Sequence, residues 1–169
     1  MQIPKIQPTA ANLKDHFQDH LYEIDFYQWT QQQANFLRHQ QWHDLDLSNL
    51  IEEIESLGRK ERQELRNRLS ILIGHLLTWE YQPGKRSRSW LATIRIQRRD
   101  ILKLLNENPS LKSQLEILNS EAYENGRDLA SGETNLPFST FPEQCNYSLD
   151  EIVKDSFLPG EPATDDLIK

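Results

Sequence analysis

With Cys145 as its only cysteine the chain can form no internal disulfide, and such a chain suits a reducing cytoplasm. Long apolar runs are missing too. None approaches the length of a membrane span, so no membrane partner is expected. The first twenty residues hold Pro4, Pro8, Lys14, Asp15 and two histidines but no apolar segment, which is not the pattern of a secretory signal. Gly-x-Ser-x-Gly, phosphate-cradling glycine loops and Cys-x-x-Cys pairs are absent, as are the Glu-x-x-His motifs of di-metal helical bundles. No strand-like alternation of useful length and no internal repeat occurs. Positive charge is in short supply overall: the net charge is −7, which argues against indiscriminate nucleic-acid binding.

What is present is helical. A chain of 169 residues buries roughly 70% of its unfolded surface and needs no metal or disulfide staple. Residues 1–20 read as a polar arm. Asp25 can cap a first helix over about 25–41, with Gln28 at the capping-box position and Phe26, Trp29, Gln33, Phe36 and Leu37 in helical register. Leu47, Leu50, Ile51, Ile54 and Leu57 make one apolar stripe, and Leu65, Leu69, Leu72, Ile73, Leu76 and Trp79 make another. The seven residues between, Gly58 to Glu64, contain nothing apolar. At about 100° per residue the eleven steps from Ile54 to Leu65 return within about 20° of the starting direction. A loop has no reason to keep that phase, so one long helix over 46–81 is predicted, solvated in its middle and packed at both ends.

Pro83-Gly84 ends that helix. A third runs from about Ser89 to Asn106 with its arginines largely outward. Asn108-Pro109 should open a fourth, which Gly132 should stop. Residues 133–160 form an irregular lid around one short helix opened by the capping box of Ser148 and Glu151, and 161–169 a loose tail. The expected fold is all-α: a helical bundle of four main helices over 21–132 with one long central helix, followed by a short C-terminal helix.

Charge is unevenly placed. Residues 85–103 carry seven basic side chains against Asp100, whereas residues 106–169 carry thirteen acidic ones against four basic. Opposite signs in neighbouring segments invite internal pairing. The alternative is an anion or partner site: Lys85, Arg86, Arg88 and Ser89 stand at a helix start, where free N–H groups favour negative charge. Arg95 and Arg99 lie four apart on one strip, with Arg98 nearby. Glu52, Glu53 and Glu55 suit the positive end of the long helix, or a polar cluster that would also include His75. His75 sits beside the apolar seam, where a histidine is more often packed than catalytic. His39 and His43, and His16 and His20, have the spacing of a helical metal pair, but third and fourth ligands are not evident. No metal, cofactor or catalytic residue is assigned.

Several segments carry a further signal: Tyr22-Glu23-Ile24-Asp25-Phe26, Trp29, Leu50-Ile51-Glu52-Glu53-Ile54-Glu55-Ser56-Leu57-Gly58, His75-Leu76-Leu77 and Gln82-Pro83. With Arg86-Ser87-Arg88-Ser89-Trp90, Thr93-Ile94, Gln97-Arg98 and Asn108-Pro109-Ser110-Leu111, they resemble, in this order, the family catalogued as domain of unknown function twenty-nine, abundant in cyanobacteria. The resemblance covers about residues 21–158. It implies a helical protein and brings no activity, cofactor or catalytic residue. The functional expectation is therefore a non-enzymatic helical module that binds another protein or its own copy through the long helix and the basic turn. The alternative is nucleic-acid or phosphate-ligand binding through residues 85–103.

Overall fold

The computed structural model describes residues 21–162, so the expected arm over 1–20, its His16 and His20, and residues 163–169 of the tail lie outside the described residues. Six helices and no strand occur among the described residues: α1 (Leu21–Ile24), α2 (Phe26–Arg38), α3 (Leu47–Tyr81), α4 (Arg88–Glu107), α5 (Leu115–Thr134) and α6 (Leu149–Val153). The all-α expectation and the long central helix hold. α3 passes through Gly58–Glu64 without a break, as the phase of its apolar positions requires. The chain nevertheless divides into two compact units, with the boundary between Leu57 and Gly58, inside α3.

In the first unit Asp25 caps α2 by accepting the Gln28 N–H at 2.9 Å. α2 ends at Arg38, three residues short of expectation, because Gln40 turns left-handed at φ 56° and the Gln41 N–H closes back onto the Phe36 carbonyl. α3 is opened by Asp46, whose carboxylate accepts the Asn49 N–H at 3.2 Å, the bond expected of an N-cap. The same carboxylate accepts from the Trp29 indole at 3.1 Å and from the Asn49 side chain at 2.7 Å, while the Asp46 N–H donates to Gln33. Further along, the Tyr22 hydroxyl donates to Glu53 at 2.6 Å. Residue 22 thus meets 53 and residue 33 meets 46, so α2 and the start of α3 run antiparallel as a helical hairpin. Its interior is small. Of the hairpin's side chains only Leu21, Trp29 and Gln33 are buried.

The second unit has a dry core. Leu65, Leu69, Leu72, Ile73, Leu76 and Leu77 from α3 meet Ile94, Ile101, Leu104 and Leu105 from α4 and Leu118, Ala122 and Ala130 from α5. α3 and α5 cross closely at two glycines. A Cβ on Gly126 would lie 2.9 Å from the Ile73 side chain and 3.1 Å from the Gly74 nitrogen, and one on Gly74 would collide with Leu129. The segment after α5 adds Phe141, Tyr147 and Ile152 to the same core, and α6 opens with the predicted Ser148–Glu151 capping box. Two boundaries differ from expectation. Asn108 acts on the helix behind it, its N–H donating to the Leu104 carbonyl; a 3-10 turn over Pro109–Gln114 then precedes α5. α5 also runs through Gly132 to Thr134, because the left-handed stop is made by Asn135 at φ 59°, a residue type that tolerates that conformation.

Candidate functional site

The basic segment was the foremost sequence-level site, and its arginines divide sharply. Arg98 is fully buried. Its guanidinium donates to three main-chain carbonyls, those of Ile152 at 2.8 Å, Asp155 at 3.1 Å and Phe157 at 2.7 Å, so it ties the end of α6 to α4. Burial pulls its pKa below the usual arginine value, and the nearby Asp155 opposes that shift. The expectation that the arginines of this helix face outward fails for Arg98. It lies four residues after Ile94 and three before Ile101, in the middle of the core stripe of α4. Arg86 is engaged in a similar way. It donates to the Trp79 carbonyl at 2.9 Å and the Glu161 carbonyl at 2.7 Å, and its guanidinium stacks 4.8 Å from the Trp79 ring centroid. Ser87, rather than Ser89, caps α4 by accepting the Trp90 N–H, which engages one of the amides an anion would use. Lys85, Arg88, Ser89, Arg95 and Arg99 are exposed, with Arg99 also 3.3 Å from Asp100.

The glutamates and His75 have different partners. Glu53 is half-buried and takes the Tyr22 hydroxyl, which pushes the tyrosine pKa up to about 12, the hydrogen bond being the main cause. Glu52 and Glu55 are exposed on α3. His75 lies 3.6 Å from Glu133, a distance that allows attraction but no hydrogen bond. Burial lowers its pKa against the raising effect of Glu133, so the ring is neutral near pH 7. The metal-pair geometry of His39 and His43 needs a helix through both; α2 stops at Arg38, His39 faces the Asn35 carbonyl, and His43 belongs to the separate 3-10 turn Trp42–Asp44. Among the described residues no group of three or more His, Cys, Asp or Glu side chains could hold a metal ion. Cys145 is half-buried with its thiol on the Tyr147 carbonyl, and burial raises its pKa, which makes it a poor nucleophile.

The feature that the sequence reading placed differently lies in the hairpin. The stripe expected to pack at the start of α3 is uncovered: Leu47, Ile51, Ile54 and Leu57 are between 56% and 67% exposed. Beside it runs an apolar groove of about 290 Å³, walled by Phe26, Trp29, Ala34 and Leu37 of α2 and Leu50, Ile54 and Leu57 of α3. Helical periodicity identified this face correctly; it carries no information about whether anything covers it. Three further residues matter here and elsewhere. Asp46 fixes the hairpin, and the pattern Asp-x-x-Asn before an apolar stripe was its signal. Arg127 is buried, donates to the Phe141 carbonyl at 3.1 Å and stacks 4.0 Å from the Phe138 ring centroid. Tyr147 donates to Glu80, and burial together with that bond pushes its pKa upward.

The chain is a member of the family described as Domain of unknown function DUF29, whose model matches residues 21–158. No curated protein and no solved structure matches it. Among the described residues no helix is long and apolar enough to cross a membrane.

Proposed function

For this member of a family without an assigned activity, we propose a non-enzymatic role in the cytoplasm as a helical protein–protein interaction module whose docking surface is the hairpin of residues 21–57. The observation that carries this reading is the groove between α2 and α3 with its flanking uncovered stripe. A continuous apolar face of this kind on a soluble domain marks an interaction site, and two parallel rows of aliphatic and aromatic side chains at helical spacing suit a helix laid between them. The placement of Arg86 and Arg98 supports moving the docking surface away from the basic turn, since both are engaged by carbonyls of the C-terminal segment.

A photo-crosslinking residue at Leu57 or Leu37 tests the proposal in the native cytoplasm. Adducts to one defined protein are expected from both positions, and none from Ile117 of α5, which is at least about as exposed as either. If the groove positions yield nothing beyond what Ile117 yields, the reading fails. The nucleic-acid alternative rests on exposed Lys85, Arg95 and Arg99. It takes over if the wild type gives a salt-sensitive gel shift that Arg95→Glu with Arg99→Glu abolishes.

A further inference from the structure

We propose that the occupant of the hairpin's apolar face is the same face of a second copy of this chain, two hairpins closing a four-helix bundle about a two-fold axis. The inference rests on the reading of residues 21–57 as a docking surface and adds the identity of the partner.

Three observations lead to it. The first is the width of the apolar face. On α3 the positions 47, 50, 51, 54 and 57 spread over about 120° of helix surface. A single helix seated in the groove covers Phe26, Leu37, Ile54 and Leu57 but leaves Leu47 and Ile51, which are 58% and 56% exposed, on the far side of the stripe. Two adjacent helices are needed to cover both, and the hairpin is itself a two-helix layer with such a face. The second is the missing interior. Among the described residues, a pair of helices that buries only Leu21, Trp29 and Gln33 lacks the second layer on which a helical core is built. The third is area. At on the order of 150–250 Å² for each large side chain, the exposed parts of Phe26, Leu37, Leu47, Ile51, Ile54 and Leu57 offer roughly 600 Å² per copy. Doubled, that reaches the lower end of specific, stable interfaces, about 1,200 Å² in total.

Charge sets the signature that separates this partner from others. Residues 21–57 hold seven carboxylates against Arg38, a net charge of −6 with histidines neutral. Glu53 and Glu55 stand about 100° from the centre of the stripe, at the edge of the contact, and Glu52 about 160° away on the far side of the helix. With a net charge of −6 on each hairpin, two copies repel through solvent. Added salt screens that repulsion, so the dimer tightens as ionic strength rises. A basic amphipathic helix of another protein, the partner that simple charge complementarity would select, would bind more weakly under the same change.

Sedimentation of the full chain at up to about 100 µM, a concentration that detects dissociation constants well above 1 µM, provides the test. The expected result is a monomer–dimer equilibrium that strengthens between about 0.05 and 0.5 M NaCl. Ile54→Glu, at a position 67% exposed, should raise the dissociation constant at least about tenfold with unchanged helical circular dichroism; Ile51→Glu should act likewise and Ile117→Glu should not. A chain that stays monomeric at every salt concentration overturns the proposal, as does a dimer indifferent to Ile54→Glu and Ile51→Glu, or one that dissociates as salt is added. The docking reading fails separately. A monomeric chain that binds a synthetic basic amphipathic helix in an Ile54-dependent manner keeps the groove as a docking site and removes only the second copy, whereas a monomer that binds no such peptide removes both.

Discussion

The two compact units of the chain handle apolar surface in opposite ways. In residues 58–162 three helices close around aliphatic side chains that are almost fully excluded from water, and the irregular segment after α5 is fastened to them largely by arginines. Arg86, Arg98 and Arg127 each donate to main-chain carbonyls of that segment. In residues 21–57 the order is reversed. Half-buried Asp46, bonded to Trp29 and Asn49, ties a small interior of Leu21, Trp29 and Gln33, and the apolar stripe is outside. The difference teaches what an arginine or an aspartate does in this molecule. In the first unit a carboxylate gathers donors and fixes two helices; in the second a guanidinium gathers acceptors and fixes a segment with little regular structure of its own. A fork of five N–H donors suits the second task, because an irregular segment exposes carbonyls that no helix satisfies.

The sharpest way to break this comparison is to remove Arg98. Arg98→Met keeps volume but leaves the carbonyls of Ile152, Asp155 and Phe157 without this donor, the first of these bonds buried and the other two partly buried. The expected loss is about 3–5 kcal/mol, measured by chemical denaturation, with limited proteolysis cutting beyond residue 135 before the helices melt. Arg98→Lys should recover part of it, since an ammonium cannot reach three carbonyls in a fixed fork. A loss below about 1 kcal/mol would mean that the apolar contacts of Phe141, Tyr147 and Ile152 hold the segment unaided.

Two helical glycines sharpen the contrast in packing. A Cβ added at Gly126 would press on the Ile73 side chain at 2.9 Å and crowd the Gly74 nitrogen at 3.1 Å, so Gly126→Val should cost roughly 2–3 kcal/mol through overpacking. Gly58 has nothing within 4 Å of an added Cβ and lies inside α3. There Gly58→Ala should stabilise by about 0.5–1 kcal/mol. Opposite signs in thermal melts of the two variants are expected; equal signs would contradict the assigned packing of one of them.

How much of this was legible in the sequence follows from what periodicity encodes. The continuity of α3 could be read because Ile54 and Leu65 share a phase across eleven residues, and the caps at Asp25 and Ser148 could be read because their partners lie three residues away. Arg98 was misplaced for an instructive reason: its position falls on the core stripe, but its charge argued for the surface. The carbonyls that make burial tolerable belong to residues more than fifty positions later, beyond any local pattern. The uncovered stripe of Leu47, Ile51, Ile54 and Leu57 failed in the other direction. Its pattern marks the apolar face correctly but carries no information about burial, because a helical stripe specifies the face and leaves open the molecule that covers it. The metal-pair spacing of His39 and His43 lost its meaning when Gln40 turned left-handed, a backbone event without a glycine to announce it.

Asp46 offers a smaller effect confined to one side of the comparison. Asp46→Ala removes the cap of α3 and the acceptor of the Trp29 indole, at about 1–2 kcal/mol. Amide exchange should accelerate over residues 21–57 while residues 65–79 keep their protection. Equal acceleration in both stretches would show that the two units open as one.

The smallest predicted effect distinguishes the two units by pH. His75 belongs to the second, and its pKa is lowered, chiefly by burial, with Glu133 at 3.6 Å acting in the raising direction. A histidine whose folded pKa lies below its unfolded value near 6.5 binds fewer protons in the native state, so stability rises with pH wherever only the unfolded chain is protonated. The contribution is therefore complete above pH 6.5 and is lost as pH falls through that value towards the folded pKa. His75→Gln should flatten this part of the acid limb when stability is measured between about pH 7.5 and 5, leaving the alkaline side unchanged. Glu133→Gln should steepen it, because removing a charge that favours the protonated ring lowers the folded pKa further. An acid limb that steepens for His75→Gln, or flattens for Glu133→Gln, would place the ring in a different electrostatic setting from the half-buried seam of α3 described above.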